Sequence, residues 1–174
     1  MTLLRCYWDG GSRDGVERQP GETEMHYQIR NWYYFTWLSG DHIVEQDVHN
    51  IDVANRIKDG HPVRAQGMDG RQLRKAKRHG QIFDHHFVEF EYADGTRMMS
   101  QCRQIRGCWP KISEHARGTK GEADLNNDRN GFVIKGANAW RYPRQARRID
   151  PYQQEHDDLF DAIRSDKPYN EAEF

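Results

Sequence analysis

Two alternating segments flank a four-residue turn, and this pattern constrains the fold more than any other feature of the chain. Residues 83–92 interleave Phe87, Glu89 and Glu91 with Val88, Phe90 and Tyr92; residues 97–104 follow after Ala93, Asp94, Gly95 and Thr96. A period of two sends alternate side chains to opposite faces of a strand, and Asp-Gly between such runs marks a hairpin because Gly takes the positive φ of the turn. Further short strand candidates lie at residues 2–8, 61–65, 112–117, 121–125, 132–135 and 139–142. Strands joined by short turns predict an open, mainly antiparallel β-sheet.

Helical spacing is clearest over residues 41–58, where Val44, Val48, Ile51, Ala54 and Ile57 recur at three and four residues. Asp41 is placed to cap the start, and Gly60 with Pro62 stops the helix. The aromatic-rich residues 25–38, with Trp32, Tyr33, Tyr34, Phe35 and Trp37, also read as helical. A last helix begins at Pro151, carries Leu159, Phe160 and Ile163 as its apolar stripe, and ends near Ser165. The expected class is α+β: an open, mainly antiparallel sheet with a long helix and a C-terminal helix packed on it. A length of 174 residues fits a single domain spanning residues 1–174.

Composition narrows the function. Lys plus Arg number 26 against 27 for Asp plus Glu, so a net charge of -1 gives no field to gather nucleic acid or an anionic membrane. No apolar stretch approaches the length of a membrane span, no signal-peptide pattern opens the chain, and a cytoplasmic location is the expectation. Apolar residues reach only 36%, so the core should be thin. Cys6, Cys102 and Cys108 lack paired spacing and read as reduced thiols in or near strands. The basic residues Arg71, Arg74, Lys75, Lys77 and Arg78 read as a solvated loop or helix face.

The chemistry concentrates between Gly40 and Asp52. On a regular α-helix His42, Glu45, His49 and Asp52 share an arc of roughly 80° beside the apolar face. A carboxylate one turn before a His orients the imidazole, so Glu45 and His49 form a candidate acid/base pair. A solvated face with incidental pairing and a divalent-metal stripe are the competing readings; without an H-E-x-x-H pattern, no metal ligand is assigned. His85 and His86 open an alternating strand, so at most one of them faces a site, and His85 is taken as the candidate. No G-x-G-x-x-G occurs, so no cofactor-binding residue is assigned.

Residues 40–57 resemble the carboxy-terminal domain of the glucose-fructose oxidoreductase, inositol dehydrogenase and MocA (Gfo/Idh/MocA) family. In that family a Gly-led helix carries an acidic residue, a His four residues on and an Asp three further, as Gly40, Glu45, His49 and Asp52 do here. The similarity extends through the FDHHFVEFEYADGTRM hairpin, SEHARGTKG and the last helix. Glu45 stands where Asp is commoner, and Arg56 where an aromatic is usual. The resemblance implies an oxidoreductase acting on a sugar or cyclitol hydroxyl with NAD or NADP, bound by a separate Rossmann domain. It implies His49 as the catalytic proton acceptor, Glu45 as a substrate-contacting acid and the sheet domain as a homo-oligomer contact; Asp52 falls on the family's Asp, and His42 from the stripe and His85 from the strand complete the candidate substrate-side residues. The chain is then the substrate-binding half, not active alone. A non-catalytic dimerisation or binding module is the alternative, and a metal-dependent hydrolase or isomerase a third.

Overall fold

The structure, a computed structural model, describes residues 1–126, 131–143 and 150–169. It divides into two compact units, Met1–Arg141 and Tyr142–Phe174.

The first unit is built on β1 (Leu3–Gly10), β2 (Pro62–Gly70), β3 (His85–Tyr92), β4 (Arg97–Gln104), β5 (Lys111–Gly118), β6 (Gly121–Asn126), β7 (Phe132–Gly136) and β8 (Trp140–Arg141). Among the described residues these form one eight-stranded sheet in the order β2-β3-β4-β1-β5-β6-β7-β8. Every neighbouring pair is antiparallel except β1 and β4, which run parallel with Cys6 beside Ser100. The β3–β4 hairpin turns through Asp94 and Gly95, with Gly95 at φ +81. Insertion of β1 between β4 and β5 is a long-range event that period and turn residues do not encode, because both describe only neighbours along the chain.

Residues 25–38 are not one helix. They break into α1 (Glu24–Arg30), a 3₁₀ turn at Trp32–Tyr34 and α2 (Thr36–Ser39). Thr23 caps α1 by accepting from the N–H of His26, and Asn31 ends it while its side chain donates to the carbonyl of Arg78. The break lets Tyr33 and Tyr34 bury with Ile82 as a second small core.

Residues 41–58 are helical as expected, but not uniformly. A π-turn over Ile43–Asp47 precedes α3 (Val48–Lys58). α3 packs on β1 and β5, and Ala54, Ile51 and Ile57 join Leu4, Cys6, Tyr92, Met98 and Ala116 in the main core. That core is thin, and polar groups fill the remainder: Asp47, Asn50 and Asp84 are buried as fully as Leu4, and Ser100 nearly so. Most buried polar groups find partners. Cys6 donates its thiol to the carbonyl of Asn50, and Tyr92 donates to Asn55 Oδ1 at 2.8 Å. Lys58 closes the end of α3 onto the hairpin through Asp94 at 2.8 Å. All three cysteines are free; Cys6 and Cys102 lie in strands and Cys108 is exposed.

One basic residue departs from the solvated reading. Arg74 is buried, donating to the carbonyl of Phe83 and to Gln104 and lying 5.2 Å from the Tyr34 ring centroid. Its planar guanidinium can satisfy several acceptors at once, which makes burial affordable where a Lys would fail.

In the second unit α4 (Pro151–Ser165) is capped by Asp150, whose side chain accepts from the N–H groups of Tyr152 and Gln153. Leu159, Phe160 and Ile163 are exposed.

Candidate functional site

The site grows from the start of the long helix. Gly40 and Asp41 are consecutive residues in the left-handed region, at φ +67 and +69. Glycine takes this conformation freely and Asp tolerates it better than most side chains. Asp41 does not cap the helix as an N-cap residue; the reversal aims its carboxylate inward. Oδ1 accepts from the N–H of His42 at 2.6 Å and lies 2.9 Å from His42 Nδ1, while Oδ2 accepts from the N–H of Phe83 at 2.8 Å. His86 Nε2 stands 3.5 Å from Asp41 Oδ1, an ion-pair distance without hydrogen-bond geometry. The His42 and His86 rings are 4.5 Å apart. All three residues are buried. Burial pushes the Asp41 carboxyl up, but contacts from His42, His86 and two backbone N–H groups outweigh it and hold the group well below the usual carboxylate range. Burial lowers the His42 imidazole, against the pull of Asp41.

The π-turn decides which residues meet. One inserted residue rotates the helix beyond it by roughly 100° relative to an unbroken α-helix. His42 is thereby turned into the protein while His49, one residue into α3, is exposed and packs 5.8 Å from the Trp8 ring centroid. The expected four-residue stripe is therefore split. Glu45 is half-buried within the π-turn and accepts from Gln46 at 3.4 Å. Asp52 is half-buried and accepts from Arg56 at 2.9 Å, an ordinary i, i+4 pair. Glu45 and His49 remain one turn apart on neighbouring parts of the helix surface.

Of the two strand-opening histidines, His86 is the one that faces the Asp41–His42 pair. His85 turns the other way and takes Asp84 Oδ1 at 2.8 Å. Sequence reasoning missed His86, Asp47 and Ser100 as site neighbours. The period-two rule says that at most one His of the pair faces a site; the tertiary structure says which.

Asp47 sits on the buried side of the π-turn and accepts from Ser100 Oγ on β4, while its Oδ1 has no hydrogen-bond partner. Burial pushes its carboxyl up to about 6, the Ser100 bond opposing and the charge of Asp9 adding to the rise. The unfolded chain titrates this group near pH 4. Below about pH 4 both states hold the proton and the site costs nothing; as pH rises to about 6 the folded state loses stability because it must ionise a buried group. Asp47→Asn keeps an acceptor for Ser100 and removes the charge. It should exceed the wild type in stability by on the order of 2 kcal/mol at pH 7.5 and by nothing at pH 4. Urea denaturation at the two pH values measures the gap, and a gap of equal size at both would overturn the assignment.

On the opposite pleat, Ser113 Oγ is 3.0 Å from His115 Nε2, and His115 Nδ1 is 2.6 Å from Asp124 Oδ1. The order imitates a hydrolytic relay. Ser113 is only 2% exposed, however, and β5 is paired on both sides, which leaves no free backbone N–H groups to stabilise an oxyanion.

With this geometry in view, comparison with solved structures is decisive for the architecture. Levoglucosan dehydrogenase in complex with NADH matches with a TM-score of 0.71 at 14% identity, covering 98% of this chain and 51% of that one. UDP-N-acetylglucosamine 3-dehydrogenase GnnA from Acidithiobacillus ferrooxidans matches with a TM-score of 0.64 at 13% identity, covering 95% and 46%. The fold is that of the Gfo/Idh/MocA-type oxidoreductases. The super-repressor mutant of Gal80p from Saccharomyces cerevisiae has it as well, with a TM-score of 0.66 at 14% identity over 96% of this chain and 46% of that one. The chain thus spans about half the length of the Gfo/Idh/MocA-type structures it matches. No protein-family model matches the sequence, and no curated protein does. Among the described residues no helix is long and apolar enough to cross a membrane.

Proposed function

We propose that this chain is the substrate-side half of an NAD(P)-dependent oxidoreductase that acts on a sugar or cyclitol hydroxyl, with His49 as the proton acceptor. The observation that carries the reading is the exposed imidazole of His49 at the first turn of α3, on the fold that levoglucosan dehydrogenase shares over almost the whole chain. That enzyme is known in complexes with NADH and levoglucosan and with NADH and L-sorbose.

Oxidising an alcohol to a ketone sends a hydride to the nicotinamide and a proton to a base. In this reading these residues supply the base and not the hydride acceptor: β1 runs through Gly10 and Gly11 into a long polar loop before α1, and among the described residues no strand leads through a short glycine turn into a helix that would cradle a pyrophosphate. His49 is free of side-chain hydrogen bonds among the described residues, and Trp8 gives its ring an apolar wall and a fixed neighbour. Glu45, one turn earlier, is placed to take a second hydroxyl of the substrate. Asp52, His42 and His85 have protein partners of their own and serve as supports in this reading.

The test is reconstitution. The chain, fused to or mixed with a dinucleotide-binding domain of the same fold family, should catalyse NAD(P)-linked oxidation of one member of a panel that includes levoglucosan and L-sorbose. His49→Ala should lower kcat by at least about 100-fold with little change in thermal stability; undiminished turnover in the variant defeats the assignment. The reading includes self-association through the open sheet face, where Met68 and Phe87 are paired across the strands and exposed. A monomer at every micromolar concentration in sedimentation removes that part. A second reading, a binding module without catalysis, is favoured by the match to Gal80p. It predicts sugar or protein binding that survives in His49→Ala.

A further inference from the structure

The buried start of the long helix holds a group of three side chains that lie away from Glu45 and His49. Asp41 and His42 come from the turn into the helix, and His86 from the first residues of β3. One ligand atom from each, a carboxylate oxygen and two ring nitrogens, lie within 4.8 Å of one another. Donors around a tetrahedral centre with bonds near 2.1 Å are about 3.4 Å apart. The 2.9 Å and 3.5 Å separations of Asp41 Oδ1 from the two imidazoles already bracket that spacing.

A second observation points to a ligand independently. Nε2 of His86, the nitrogen that stands 3.5 Å from Asp41 Oδ1, is buried without a hydrogen-bond partner on a side chain that is 7% exposed. A buried ring nitrogen without a partner is costly, and a bound ion would satisfy it. Surrounding groups orient the set as an outer shell does: the N–H of Phe83 holds the second oxygen of Asp41, and Asp69 Oδ2 stands 3.7 Å from His86 Nδ1. Arg74 is the cation felt at His42, and it is engaged by Phe83, Gln104 and the Tyr34 ring.

We infer that Asp41, His42 and His86 form a site for one divalent transition-metal ion of the zinc class. Two imidazoles and one carboxylate suit zinc, cobalt or ferrous iron, whereas magnesium and calcium favour sites made of oxygen alone. The ligands are closed from solvent, so the ion would tie the left-handed turn at Gly40–Asp41 to β3 rather than meet a substrate. The inference shares only His42 with the oxidoreductase reading, where that residue is a support, and it uses neither Glu45 nor His49, so cobalt binding and turnover are tested separately.

The experiment uses the whole purified chain, stripped with a chelator and titrated with cobalt chloride. Expected are one cobalt per chain, visible d–d absorption, its displacement by zinc chloride, a raised Tm, and no response to magnesium chloride. His86→Gln should weaken cobalt binding at least about 100-fold, whereas His26→Ala and His61→Ala, at exposed positions, should leave it unchanged. Substoichiometric uptake, equal affinity in His86→Gln, or loss of binding in either exposed variant overturns the inference. If His86→Gln does not fold, X-ray absorption of the zinc-loaded wild type decides: two imidazole ligands support the site, and fewer than two sink it.

Discussion

Asp84→Ala is expected to lower the free energy of unfolding by about 3–5 kcal/mol, a large part of what a domain of this size has. The Asp84 side chain is fully buried and accepts from three consecutive backbone N–H groups, those of Gln72, Leu73 and Arg74, at 2.9, 2.6 and 3.0 Å. It also takes His85 Nδ1 at 2.8 Å. Burial raises its carboxyl, but the three N–H groups and His85 more than offset this and hold it down to about 2. Removing the carboxylate strands those donors and releases the segment that carries the buried Arg74. The same group makes a pH prediction of the opposite sign to that for Asp47. Its folded-state value lies below the unfolded one, so its contribution is complete above about pH 4 and is lost as pH falls from about 4 to about 2. Urea denaturation from pH 2 to pH 7 should therefore show the gap between the wild type and Asp84→Ala narrowing by about 2 kcal/mol toward the acid end. A constant difference across that range would contradict the account. Asp84→Asn, which keeps one acceptor oxygen, should fall between the two.

Gly80→Ala is expected to cost on the order of 4 kcal/mol, or about 8–16 °C in Tm for a protein of this length. Gly80 has φ +48 and ψ -123, the mirror image of an extended conformation, which side-chain-bearing residues avoid. A Cβ there would stand 2.0 Å from the carbonyl oxygen of Tyr34, and that oxygen is fixed because it accepts from the N–H of Gln81 at 2.9 Å. Neither partner is a flexible side-chain end, so relief requires moving the backbone around the buried Tyr33, Tyr34 and Ile82 cluster. Gly10→Ala is the control, since a Cβ at Gly10 would meet nothing within 4 Å. It should change Tm by no more than about 2 °C. A comparable loss in the two variants would show that the close approach at Gly80 is not the cause.

Much of the architecture was legible along the chain because it is local. The Asp94-Gly95 hairpin and the strand at residues 97–104 appear where alternation and turn residues place them, and the last helix covers Pro151–Ser165 as its proline, stripe and length require. Residues 25–38 failed as one helix because burial of Tyr33 and Tyr34 and the bond from Asn31 to Arg78 are tertiary rewards that override spacing. Arg74 misled for the same reason. A basic run normally faces water, and nothing local announces that one member has Phe83, Gln104 and Tyr34 waiting for it.

By itself the sequence determined the class of fold, the extent of the long helix and the presence there of an acidic residue and a His one turn apart, since each follows from periodicity and spacing. Only the tertiary structure decided which histidines meet. The π-turn at Ile43–Asp47 adds one residue to a helical repeat, turning His42 inward and leaving His49 exposed, and the registry of β3 brings His86 to Asp41. The physical reason is that a phase shift within a helix and contact between residues 44 apart in the chain are set by packing onto the sheet, which no local pattern of side chains records.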